Sequence, residues 1–92
     1  MADKGKIELS SGGWVELGEG MDDMTMDAMA DWVDAEREGR VRDVWKFLAM
    51  ALKAWSFEGD PADPASFGKL SIRQFRDVNA VVSKRLQDIA KN

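Results

Sequence analysis

Between Lys6 and Leu17 apolar and polar positions alternate on either side of a turn cluster. Ile7 and Leu9 alternate with Lys6 and Glu8. Ser10-Ser11-Gly12-Gly13 interrupts the run, and Trp14, Val15 and Leu17 resume it with strand-forming residues. The pattern predicts a β-hairpin over 6–17, ended by Gly18 and Gly20. An isolated hairpin is marginal in water, so this one must lie on the rest of the chain. Beyond it the period becomes helical. Over 22–38, Met21, Ala28, Met29 and Trp32 share a face, with Met24 and Val33 at its edges. Asp23, Asp27, Asp31 and Asp34 lie opposite. Asp22 or Asp23 is placed to cap this first helix, and Gly39 to stop it.

A second helix is predicted over 41–55. Val41, Val44, Trp45, Leu48, Leu52 and Trp55 form a stripe roughly 100° wide. Phe47, Met50 and Ala54 widen the apolar surface beyond that stripe, which marks a central helix packed on two sides. Asp60-Pro61 and Asp63-Pro64 predict a loop over 56–70, because the residue before proline avoids the helical region. Phe57 and Phe67 are its expected anchors. The third helix, 71–90, has the clearest start. Ser71 and Gln74 form a capping box, flanked by Leu70 and Phe75 as a hydrophobic staple. Ile72, Phe75, Val78, Val82, Leu86 and Ile89 follow one face. Arg73, Arg76, Lys84 and Lys91 follow the other, with Asp77 and Asp88 among them. The fold class read from these patterns is mainly α: one domain over 1–92, with three helices and a short N-terminal β-hairpin.

Composition then narrows the function. Ninety-two residues make one domain with a modest core, helped by four Trp and four Phe. Cysteine and histidine are absent. This excludes disulfides and thiolate metal sites, and removes the commonest general base. No serine has a histidine partner, so the chain reads as a non-enzyme without cofactor. The formal charge of −4 disfavours phosphate binding. The basic stripe of the third helix is therefore read as a solvated face, with no nucleic-acid partner. The acids of the first helix, and Glu58, Asp60 and Asp63, lack the convergent spacing of a calcium loop. No apolar run reaches the ~20 residues of a membrane span. The start, Met1 to Lys6, leads into no apolar leader, and the chain reads as cytosolic.

The methionines carry the remaining signal. Met21, Met24, Met26 and Met29 crowd one segment. Methionine is flexible and polarizable, and is over-used on surfaces that adapt to a partner. Met24 and Met29 suit core filling beside Trp32 as well. Met26 falls nearer the polar side. Together with Phe47, Met50 and Ala54 it predicts an exposed apolar patch, the expected protein-binding site.

The stretch Ala54-Trp55-Ser56-Phe57-Glu58-Gly59-Asp60-Pro61, then Phe67-Gly68-Lys69-Leu70 and an amphipathic helix, resembles the tail assembly chaperones of long-tailed bacteriophages. In that family an aromatic helix ends in a Trp-polar-apolar step. An acidic loop with Gly and Pro follows, and then a helix opened by Leu and a small polar cap. Gly12-Gly13-Trp14-Val15-Glu16-Leu17 likewise resembles the family's glycine-then-strand opening. The resemblance covers most of residues 12–89. It implies a non-catalytic protein of the host cytoplasm that binds the tape-measure protein, keeps its apolar helices soluble and recruits tail-tube protein. It also raises a longer frameshifted product, set against the plainer reading of Lys91-Asn92 as a solvated polar tail. One permitted coding of Ala90-Lys91-Asn92, GCA AAA AAC, contains a run on which ribosomes slip back. Two other readings stay open: a small acidic inhibitor or adaptor binding a host protein, and a structural head–tail component. A homo-oligomer is left open too.

Overall fold

The computed structural model describes residues 5–91, apart from the side chains of Ala90 and Lys91. The expectation attached to Ala90-Lys91-Asn92 reaches Asn92, which lies outside the described residues. Strands β1 (Lys6–Glu8) and β2 (Trp14–Leu17) pair antiparallel, with Ile7 opposite Val15. Their turn is closed by Leu9 N–H to the Gly13 carbonyl at 2.9 Å and Gly12 N–H to the Leu9 carbonyl at 3.0 Å. Gly12 and Gly13 adopt φ of 100° and 87°, a region that residues with a Cβ avoid.

A third strand, β3 (Leu52–Trp55), extends the sheet in the order β1-β2-β3. The second helix, α2, is accordingly Val41–Ala51 and does not reach residue 55. The register explains how both patterns coexist. Val15 faces Trp55, Glu16 faces Ala54, and Leu17 faces Leu52, so Lys53 is an extra residue at a bulge. In a regular strand, residues three apart point to opposite sides. The bulge allows Leu52 and Trp55 both to be buried. Pairing with β2 thus overrides the helical period that the same two residues continue.

Helix α1 spans Met26–Glu38 and starts later than expected. Its cap is Thr25, whose Oγ1 accepts from the Ala28 N–H at 3.1 Å; neither Asp22 nor Asp23 caps it. Met21 and Met24 precede the helix, and Met21 is buried. Gly39 ends it at φ 72°, as the sequence predicts. The loop expected over 56–70 contains a 3₁₀ helix, Pro64–Lys69. Asp63 keeps the extended backbone that a following proline imposes, yet its carboxylate caps the Ala65 N–H at 3.1 Å. Pro64 then occupies the first helical position, which tolerates it. Phe67 is buried and lies 5.0 Å from the Trp55 ring, while Phe57 meets that ring edge-on at 5.5 Å. The Trp55 Nε1–H donates to the Gly59 carbonyl at 2.9 Å, tying the loop to the sheet.

Helix α3 (Ile72–Lys91) opens on a complete capping box. Gln74 N–H donates to Ser71 Oγ at 3.1 Å, and Ser71 N–H to Gln74 Oε1 at 3.0 Å. Ile72, expected on the apolar face, is 80% exposed at the first helical position. Farther along, Val78 and Val82 are fully buried. Asp77 accepts from Ser11 N–H at 2.8 Å and Ser10 Oγ at 3.3 Å, which holds the hairpin turn on α3. The fold is mainly helical. Among the described residues, the expected three helices and hairpin become three α-helices, one 3₁₀ helix and a three-stranded antiparallel sheet. The core centres on Val15, Trp32, Leu48, Phe67, Val78 and Val82. Trp45, expected in that core, is only half-buried, its ring close to Gly68.

Candidate functional site

The four residues expected to form one apolar patch do not come together. Met26, 72% exposed, starts α1 and borders a depression with Met24, Met29, Leu86 and Ile89. Met50, 48% exposed, borders a different depression of about 380 Å³ with Phe47. The walls of that second depression are charged: Arg40 pairs with Asp43 at 2.8 Å and Lys46 with Asp43 at 3.6 Å. Phe47 is half-buried because its ring stacks on Trp32. Ala54 sits in β3 opposite Glu16 and lines neither depression. Phe47 and Met50 therefore share one depression, while Met26 lies at another and Ala54, a strand residue, at neither.

A longer feature lies between α1 and α3. Three depressions of about 240, 230 and 210 Å³ follow one another along α1. The first is walled by the four clustered methionines, with Leu86 and Ile89 from α3. The second shares Met29 and Leu86 and adds Trp32, Val33 and Ser83. The third shares Glu36 with the second and continues through Val41, Phe75 and Asn79. As the α1 positions advance, the α3 positions recede, so the two helices run past each other in opposite senses. The result is a groove-like row of three adjoining depressions. The 13 residues of α1 give it a length of roughly 20 Å at the helical rise. It stays open for a local reason. Helix α1 sends its largest ring, Trp32, against Phe47 of α2, while α3 presents the small polar residues Asn79 and Ser83 along the groove.

The groove has an uneven electrostatic lining. Its charged lining residues are Asp22 and Glu36, and no Lys or Arg is among them. Arg85 pairs with the lining residue Asp22 at 3.8 Å, while Arg37 pairs with Asp34 at 3.6 Å and Arg40 with Glu38 and Asp43 at 2.8 Å. Two buried polar atoms along the groove, Trp32 Nε1 and Asn79 Oδ1, have no hydrogen-bond partner. Such an orphan costs about 1–3 kcal/mol in desolvation. Native structures hold few of them.

Sequence reasoning singled out the methionine segment, and the structure sets Leu86 and Ile89 beside it while Phe47 and Met50 border another depression. Leu86 and Ile89 continue the α3 stripe and therefore read as core; they are half-buried groove walls instead. The available signal was length, because the stripe runs past the core that α3 meets at Val78 and Val82. Among the described residues, no group of three or more carboxylates is placed to hold a metal ion. No described helix is long and apolar enough to cross a membrane. No known protein family, curated protein or solved structure matches the chain.

Proposed function

We propose that this chain is a non-catalytic binding protein of the phage tail assembly chaperone type. It holds an apolar helix of the tape-measure protein in the host cytoplasm and brings tail-tube protein to it. The observation that carries this reading is the methionine-walled groove along α1. A groove roughly 20 Å long accommodates about three to four turns of a docked helix. Methionine side chains repack around helices of differing shape, as a protein serving many turns of one long client requires. The sequence supplies neither histidine nor cysteine for alternative chemistry.

Co-expression tests the proposal. The tape-measure protein, insoluble alone, is expected to become soluble and to co-purify with this chain. Met26→Asp with Val33→Asp, both at exposed groove positions, should remove that effect without unfolding the domain. Failure of the wild-type chain to alter tape-measure solubility would refute the reading. If the chain instead captured a bacterial enzyme or transcription factor with no phage protein present, the inhibitor reading would replace it.

A further inference from the structure

We infer that this chain pairs with a second copy of itself along the outer edge of β1, joining two three-stranded sheets into one of six strands about a two-fold axis at Ile7. Strand β1 ends the order β1-β2-β3, and all three of its residues are exposed. Its hydrogen-bonding phase suits an added strand. Leu9 donates its N–H to the Gly13 carbonyl, in the register that sets Ile7 opposite Val15. Backbone groups alternate in direction along an antiparallel strand. Those of Leu9 and Ile7 therefore turn toward β2, and those of Lys6 and Glu8 turn outward. The same three residues are self-complementary. In an antiparallel pair centred on Ile7, Lys6 of each copy lies opposite Glu8 of the other, and each such pair can exchange two backbone hydrogen bonds. The neighbouring registers of the same phase are disfavoured, because centring on Lys6 or on Glu8 sets like charges directly opposite. An unmatched lysine protects an edge strand from such pairing; here the glutamate two residues on supplies the match. Glu8 has no ion-pair partner among the described residues. The Lys6 ammonium lies 4.4 Å from the Trp14 ring centroid, on the face of the sheet that Lys6 shares with Glu8. On the opposite face Ile7, 36% exposed, borders a depression of about 440 Å³ with Leu17 and Val81. Across the axis the second Ile7 meets the first and covers this apolar lip. The rim carries both signs, Lys84 and Arg85 with Asp88, so no surface of single charge is set against itself. None of these α3 residues lines the α1–α3 groove, and the pairing does not depend on what that groove binds.

Sedimentation equilibrium of the full chain tests this, with a reversible monomer–dimer equilibrium as the expected result. Lys6→Glu leaves two acids on β1, and Glu8→Lys leaves two lysines. Each variant alone sets like charges against each other at both pairs, and should dimerise about tenfold more weakly or worse. Glu8→Lys lowers the net negative charge of the chain, so a general charge effect would strengthen its self-association instead. An equimolar mixture of the two variants should recover the dimer, because every pair across the axis is then Glu against Lys. That recovery also shows both variants to be folded. A chain that stays monomeric at about 1 mM would overturn the inference. So would a dimer indifferent to both substitutions, since its interface would lie elsewhere. Loss of the dimer in both variants without recovery on mixing would overturn it too, because the pairing of Lys6 with Glu8 would not be its cause.

Discussion

The rings of Trp32 and Phe47 lie stacked, 5.4 Å between centroids and 7° from parallel. This contact joins α1 to α2 and leaves Trp32 only 1% exposed. It also separates two residues that look alike in the sequence. Phe47 serves the core, while Met50, one turn on, faces outward.

That difference is measurable. Phe47→Asp should destabilise the domain by about 3 kcal/mol or more, because a carboxylate would replace a ring against the indole. Met50→Asp should stay within about 0.5 kcal/mol, as exposed substitutions usually do. Urea melts of the two variants compare them directly. Equal destabilisation would contradict the stacked arrangement.

Gly20 presents a steric test. A Cβ built there collides with the Met50 carbonyl oxygen, which is backbone and cannot swing aside. At Gly39 a Cβ meets nothing, and only the φ of 72° opposes it. Gly39→Ala should therefore cost about 1–2 kcal/mol from left-handed strain. Gly20→Ala should cost more, since the segment before α1 must move off the end of α2. Thermal melts giving the reverse order would count against the close approach.

Acid should loosen the hairpin turn. Ser11, whose N–H donates to the carboxylate at 2.8 Å, is the largest influence holding the Asp77 carboxyl below its ordinary value of 3.8, with help from Ser10 and despite some desolvation. The folded-state pKa is depressed, so the stabilisation is fully present above the unfolded value. It is lost as pH falls through the lower folded value. Amide exchange at Ser11, whose N–H donates to Asp77, should accelerate relative to the core only at pH below about 4. Asp77→Asn should remove that acid step; an unchanged pH profile in the variant would exclude Asp77 as its cause.

Core and cap should separate by magnitude. Leu48 is fully buried in α2, and Leu48→Ala should cost about 2–5 kcal/mol. Ser71→Ala removes one bond of the α3 capping box and should cost about 1 kcal/mol. Denaturant midpoints rank the two, and a larger loss for Ser71→Ala would contradict these assignments.

What the sequence made legible was local. The hairpin turn is written in Gly12 and Gly13, the α1 stop in Gly39, and the α3 start in Ser71 and Gln74. Each is a signal contained within a few residues. The misses were all tertiary. Leu52 and Trp55 continue the helical spacing of Leu48, and only pairing with β2 shows them to be strand residues. Thr25 caps α1 although two aspartates precede it, because Met21 is drawn into the core before the helix begins. The candidate site suffered most. A groove depends on how far apart two helices stand, and no periodicity within either helix records that distance.

Helix α2 passes into strand β3 with no intervening residue, Ala51 closing one and Leu52 opening the other. The junction therefore has no slack to absorb a change in chain length. An inserted residue there would either turn the whole of α2 by about 100° about its axis or turn the side chains of β3 to the opposite face of the sheet. A deletion would do the same in the other sense. Reading-frame repairs and linker libraries that pass through the Ala62 turn should give folded proteins, whereas those that pass through Ala51-Leu52 should give none. This peptide link sets the phase between the helical and sheet halves of the molecule.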